Sequence, residues 1–415
     1  MRYNDLLGES MYDTQLPNGL KCFVFPKKDY VEKQAVFVVK YGSTDRLAWR
    51  AAPPDGVAHF MEHKMFEDAE MNMYDSFLKN GADVNAYTNF TVTAYYFTCV
   101  DNFQENLKLL AHMVGSPYFT DENVEKEKGI ISQEINMYAD NPHWRLYMNL
   151  QGALYGDGPV SVDIAGSVAS IQEINKDILY DYYHGFYAPA NMAFICAGDV
   201  DAEEAVKICG ENFKLNGAVG DRVLNPPDTA PVRGNYAEKQ LDVSIPMLAL
   251  GFKNRDFAAQ QTDNIAVSKI LADILAGESS SLYEKMYNEG IIDQSFSADY
   301  ASGSFFGASV FTGASKRPER VKEMILGEVS KLSAEGIGRP RFETVKRKHI
   351  GQYIAGFNAI DRIAGLQAEL FSLGHDMFGY ADSYANVTLD AVNERLRKHY
   401  LEENCALSVI RPKNA

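Results

Sequence analysis

Apolar positions in the first half of the chain fall into short runs that alternate with longer stretches of helical spacing. The runs "GLKCFVFPK" and "KQAVFVVKYG" predict two strands, at residues 19–27 and 33–42. Helical spacing follows over residues 56–66 and 71–80. The stretch "GADVNAYTNFTVTAYYFTCV" alternates on both sides of "TNFT", which predicts a hairpin whose strands meet near Asn89. Helices are expected at 102–115 and 121–139, and another before "YAPANMAFICAGDVD", where a strand runs toward Asp199.

The second half repeats this order. A strand "VSIPMLALGF" precedes a helix "DNIAVSKILADILAG" and a shorter helix "SSLYEKMYNEG". Two alternating segments follow, "IIDQSFSADY" and "SFFGASVFTG", then long helices and a last strand "CALSVIRP". The pattern predicts an α+β protein built from two similar domains, each a mostly antiparallel sheet packed with helices. Between them, "NGAVGDRVLNPPDTAPVRGNYAE" is rich in Gly, Pro and polar residues and reads as a connection. The expected domains are 1–217 and 239–415, with a linker at 218–238.

The length of 415 residues agrees with two domains, and 46% hydrophobic with 23% charged residues describes a folded chain. With 40 basic against 56 acidic residues, the net charge of −16 argues against nucleic acid or anionic lipid as a partner. Residues 1–21 hold no apolar run of signal-peptide length, and nothing approaches the ~20 apolar residues of a membrane span. A cytoplasmic protein without a membrane partner is expected. Its cysteines, Cys22, Cys99, Cys196, Cys209 and Cys405, are widely spaced and predict buried free thiols.

The segment that carries candidate chemistry is "GVAHFMEHKMFED", residues 56–68. On a helix, His59 and His63 are one turn apart on one face, with Glu62 adjacent. H-x-x-E-H is the inverted form of a zinc peptidase motif, in which two imidazoles bind the metal and the glutamate serves as base. Read from these residues alone, the stretch fits either a metal site or a polar helix face. A catalytic zinc requires a third protein ligand. The candidate is Glu134, in "DENVEKEKGIISQEINMY", seven residues after Glu127 and set in an otherwise apolar or uncharged run where a carboxylate needs a partner. In the second half, "VSKIL" stands where the first has "HFMEH", so only one copy keeps ligand-type residues. His112 reads as a core histidine and His143 as a surface or capping residue. His184, His349, His375 and His399 have no partner at metal spacing.

Taken together, these segments resemble the pitrilysin/insulinase family of inverted-motif zinc peptidases, close to its bacterial processing-peptidase branch. The resemblance runs through the whole chain, from "NGLKCFVFPK" and "GVAHFMEHKMF" through "NGADVNAYTNFTVTAYYF" and "EKEKGIISQEI" to "YAPANMAFICAGDVD". It implies half of a clamshell peptidase, one Zn²⁺ per chain on His59, His63 and Glu134, and Glu62 activating the water. It further implies Glu127 near the metal but not on it, and an extended peptide substrate laid against an edge strand at Asn85 and Ala86. Family members usually carry an Arg and a Tyr seven residues apart in the second domain. Here "LYEKMYNEGIIDQSF" offers Tyr287 and Gln294, allowing a one-residue gap. That departure leads to the expectation of a heterodimer with a related, metal-free subunit that supplies the pair, a homodimer being the alternative. The competing function is a non-catalytic structural or peptide-binding subunit. Relatives of the structural kind commonly lose the motif, whereas all four of its positions are present here.

Overall fold

The computed structural model describes residues 1–50, 52–215, 217–256 and 262–413. Two compact units form, neither continuous in sequence. One comprises Met1–Ile135, Asp163–Asn225 and Ile354–Phe378; the other Asn136–Val162, Pro226–Tyr353 and Gly379–Ala415.

In chain order the first elements are β1 (Arg2–Asn4), β2 (Glu9–Gln15), β3 (Lys21–Pro26), β4 (Lys33–Val39), β5 (Arg46–Leu47), α1 (Val57–Lys64) and α2 (Met73–Lys79). Next come β6 (Ala82–Thr88), β7 (Thr93–Cys99), α3 (Phe103–Gly115), α4 (Asp121–Asp140), α5 (Pro142–Tyr155), α6 (Val168–Gln172), α7 (Lys176–Phe186), β8 (Met192–Gly198), α8 (Ala202–Asn212) and β9 (Arg222–Val223). Then follow β10 (Tyr236–Leu241), β11 (Met247–Lys253), α9 (Thr262–Ala276), α10 (Ser281–Asn288), β12 (Ser297–Ser302) and β13 (Gly307–Ala314). The chain closes with α11 (Pro318–Glu335), α12 (Arg339–Gly356), α13 (Ile360–Ser372), α14 (Met377–Asn386), α15 (Leu389–His399) and β14 (Cys405–Pro412).

The first unit holds a seven-stranded sheet in the order β1-β2-β3-β8-β4-β7-β6, the second a five-stranded sheet in the order β10-β14-β11-β13-β12. In each, one parallel pair, β3 with β8 or β10 with β14, is followed by three antiparallel pairs. Strand by strand, β3-β8-β4-β7-β6 corresponds to β10-β14-β11-β13-β12, which is the expected duplicated α+β unit. The N-terminal strands β1 and β2 extend only the first sheet.

The units differ from the contiguous division expected around 218–238, and the cause is packing. Helix α13, from late in the chain, covers β4 and β8, while α5, from the first half, covers β10, β11 and β14. Each sheet is thus buried on both faces. In the first unit, Cys22, Val24, Phe37 and Val39 face the core shared with α1, α3 and α7. On the opposite face, Phe23 meets Phe371 with ring centroids 6.5 Å apart, and Phe25 meets Phe357 at 6.4 Å. Two-sided burial explains why β3 and β4 are nearly unbroken apolar runs. Among the described residues, no helix is long and apolar enough to cross a membrane. All five cysteines are buried and free.

Two close approaches fix the elements around the HxxEH segment. The β6–β7 turn is organised by Asn89, whose Oδ1 accepts from the N–H groups of Thr91 and Val92, both at 2.8 Å. Gly42 lies so tightly on that turn that a Cβ would fall 2.3 Å from the Thr91 nitrogen. Helix α1 begins at Gly56, which has φ 93° and would place a Cβ 2.4 Å from the Ala165 carbonyl oxygen. Only glycine meets both demands cheaply.

Gly56→Ala is therefore expected to lower unfolding stability by more than about 2 kcal/mol, the left-handed backbone and the overlap adding. Chemical denaturation checks this, and a loss within about 0.5 kcal/mol, the range of neutral surface changes, would contradict it.

Candidate metal centre

Helix α1 presents His59 and His63 one turn apart, their ring centroids 4.7 Å apart. Helix α4 buries Val124 and Ile131 against the same core and turns Glu134 toward that face. Glu134 Oε1 lies 3.7 Å from His59 Nε2, and Glu134 Oε2 lies 3.3 Å from His63 Nε2. One donor atom from each of the three residues falls within 4.8 Å of the others.

These separations suit a metal site as well as an ion pair. Well-formed hydrogen bonds of this kind span about 2.7–3.2 Å. Donors held about 2.0–2.2 Å from one tetrahedral zinc stand about 3.4 Å from each other. The observed 3.3 and 3.7 Å bracket that spacing. Two imidazoles and one carboxylate also form a donor set that zinc accepts.

Glu127 meets the other side of His63, its Oε1 lying 3.1 Å from Nδ1. Its Oε2 accepts from Lys64 Nζ at 3.2 Å, and Lys64 also donates to Glu67 at 3.1 Å. With the proton on Nδ1 donated to the Glu127 carboxylate, Nε2 is left to face the cluster, the usual device for aiming a ligand histidine. His59 Nδ1 is buried with no hydrogen-bond partner among the described residues. Glu62, nine-tenths buried, turns elsewhere: its Oε2 accepts from Thr88 Oγ1 at 2.8 Å.

The electrostatics favour positive charge where these groups meet. Burial alone would depress the His63 imidazolium, yet its bonds to Glu127 and Glu134 and the nearby Glu62 hold it up at about 10. The two imidazoles hold the Glu134 carboxyl well below the usual range, against its burial. Burial would raise Glu127, but His63 and Lys64 outweigh it and the carboxyl is lowered. For Glu62 burial wins and its carboxyl is raised. A site that stabilises an imidazolium proton this strongly is suited to a divalent cation at the same point.

Asn85 and Ala86 lie on β6, the outermost strand of the first sheet. Asn85 is exposed, and its Oδ1 accepts the Ala86 N–H at 2.8 Å. The strand's other neighbour is β7, so one main-chain edge carries no partner strand among those described. Tyr287, at the end of α10 in the other unit, is exposed and accepts a long contact of 3.4 Å from Gln294 Nε2.

Three further residues differ from or add to the sequence reading. His112 is not in the core: its imidazole is 43% exposed and pairs with Asp68 at 2.8 Å. The buried stripe of α3 is Leu107, Leu110, Ala111 and Val114, and position 112 falls beside it. Lys64 and Thr88 were not anticipated. Lys64 is wholly buried despite its charge, and Thr88 continues the inward alternation of Ala82, Val84 and Ala86. That alternation was the available signal.

Residues 37–167 match the insulinase (peptidase family M16) model, and residues 173–348 match the peptidase M16 inactive domain. The chain is 34% identical to YmfH of Bacillus subtilis, named as an uncharacterized zinc protease, over 98% of each chain. The crystal structure of an M16-like peptidase from Alicyclobacillus acidocaldarius superposes with a TM-score of 0.92 at 32% identity, covering 98% of this chain and 99% of that one. The beta subunit of the mitochondrial-processing peptidase of Caenorhabditis elegans is 26% identical over 57% of this chain and 51% of its own. This chain belongs to the insulinase/pitrilysin family, peptidase family M16. Its curated relatives include named zinc proteases.

Glu127→Ala, which removes the carboxylate that aims His63, is expected to weaken zinc uptake about 10- to 100-fold. Competition with a chromophoric chelator measures it, and unchanged affinity would contradict the role of Glu127.

Proposed function

We propose that this chain is a zinc-dependent endopeptidase subunit that cleaves peptides or small unfolded precursors. The supporting observation is the convergence of His59, His63 and Glu134 within 4.8 Å, with Glu62 on the same helix. On this reading those three residues hold one Zn²⁺, which when bound supplies a Lewis acid that polarises the scissile carbonyl and acidifies water. The Glu62 carboxylate takes the proton of the attacking water and passes it to the leaving amine. An extended peptide adds to the free edge of β6 beside Asn85 and Ala86, where main-chain bonding positions it with little demand on its sequence. A cytoplasmic location, proposed with it, suits the five buried free thiols.

The proposal includes a partner. With a one-residue gap allowed, Tyr287 and Gln294 match the family's Arg and Tyr, and neither can replace a guanidinium facing an oxyanion. A metal-free homologue carrying the pair, joined in a heterodimer, completes the site, and the relative named as a processing-peptidase subunit supports such an arrangement. The same departure favours the second reading, a peptide-binding subunit without catalysis.

Glu62→Gln separates the two. The variant is expected to keep its zinc and lose about 10²- to 10⁴-fold in the rate of cleaving unstructured peptides. An unchanged rate would remove Glu62 as the base. Adding a homologous chain with the Arg/Tyr pair is expected to raise the wild-type rate about 10²- to 10³-fold. Full turnover by the isolated chain would contradict the division of labour.

A further inference from the structure

We infer that Thr88 is a positioning residue for the base, tying the Glu62 carboxylate to the last rung of the edge strand. The inference rests on the proposed peptidase reading and extends it to a residue outside the HxxEH motif.

Thr88 closes β6 and stands opposite Thr93, the first residue of β7. The Thr88 hydroxyl turns toward α1, because the inward alternation of β6 continues through Ala82, Val84 and Ala86 to Thr88. Thr93 is fully buried and donates its proton to the Tyr41 carbonyl at 2.9 Å. Thr88 donates to Glu62 Oε2 at 2.8 Å. The two hydroxyl oxygens are 3.4 Å apart, and neither has a second proton for the other. Thr93, its proton committed to Tyr41, can still accept, but the 2.8 Å contact to the Glu62 carboxylate is shorter and charge-assisted, so the Thr88 proton goes to Glu62.

The backbone beneath this pair has little freedom. The turn that follows is held by Asn89, and Ser43 N–H donates to the Asn89 carbonyl at 2.9 Å. Thr44 Oγ1 donates to the Phe90 carbonyl at 2.5 Å, and Gly42 packs against the same turn without room for a side chain. Helix α1 is seated at its other end by Gly56 against Ala165. A hydroxyl on a braced strand thus holds one oxygen of a carboxylate on a braced helix. Glu62 Oε1 is the oxygen left for the proton transfer. The β6 edge proposed to receive substrate and the base are joined through a single hydrogen bond to a charged group, a strong kind of side-chain contact.

The test compares Thr88→Val, which keeps the shape and removes the donor, with Thr88→Ser, which keeps the donor. Zinc-loaded wild type, both variants and Glu62→Gln are each incubated in excess over a set of synthetic unstructured peptides. Cleavage is followed by mass spectrometry, with zinc content and thermal midpoint measured alongside. Thr88→Val is expected to cut the maximal rate about 10- to 100-fold, the usual cost of losing a bond to a charged group. Its half-saturating concentration should stay within about twofold, with zinc content and folding unchanged. Thr88→Ser should recover to within about threefold of wild type. If Thr88→Val matches wild type while Glu62→Gln is inactive, this inference fails and the peptidase reading stands. A Thr88→Val loss that appears as lost zinc or a lowered melting point, or one that Thr88→Ser does not recover, reduces Thr88 to a structural residue and also overturns the inference. If Glu62→Gln retains full activity, or wild type cleaves nothing even with the homologous subunit added, the reading beneath it fails as well.

Discussion

The site depends on one electrostatic constraint. Three glutamates, Glu62, Glu127 and Glu134, lie around two neighbouring imidazoles in a partly desolvated region, and positive charge must be supplied to hold them there. Lys64 supplies some, buried between Glu67 and Glu127. His63 supplies more when protonated, because two carboxylates face its two nitrogens. What remains is a point between His59 Nε2, His63 Nε2 and Glu134 with donors on three sides, where the proposed divalent ion would answer the same demand. The family to which the chain belongs makes zinc the natural candidate.

The fold serves this constraint by making the participating elements stiff. Helix α1 carries three of the motif residues but is only eight residues long, too short to be stable alone, so its geometry comes from packing. Val57, Ala58, Phe60 and Met61 are buried, and Gly56 is wedged against the segment that precedes α6. Helix α4 contributes its carboxylates from a face anchored by Val124 and Ile131. The β6–β7 hairpin closes the remaining side and brings the Thr88 hydroxyl to Glu62. Function-bearing groups on helices and strands, rather than on long loops, are held to the small tolerances that proton transfer requires.

Much of this was readable in the chain and some was not, for identifiable reasons. The His59–His63 pair is a local feature, set by the pitch of one helical turn, so its spacing alone disclosed it. Glu134 could be singled out because an ionised group in the uncharged run "GIISQEINMY" needed a partner. The hairpin at Asn89 and the repeat of strand order followed from alternation. The two helices that cross between units, Pro142–Tyr155 and Ile360–Ser372, were not legible as such, because amphipathic spacing names a buried face but not the sheet that buries it. His112 was misread as core for a related reason: an apolar context in sequence does not say which side of the stripe a residue occupies. Lys64 and Thr88 are tertiary contacts, and no local pattern encodes a partner 63 or 26 residues away.

The most direct test of the central claim is anomalous diffraction at the zinc edge from crystals of the purified chain. The account predicts one strong peak bounded by His59 Nε2, His63 Nε2 and a Glu134 oxygen, each about 2.0–2.2 Å away. A zinc-saturated crystal with no peak at that point, or with the metal held by other residues, would contradict it.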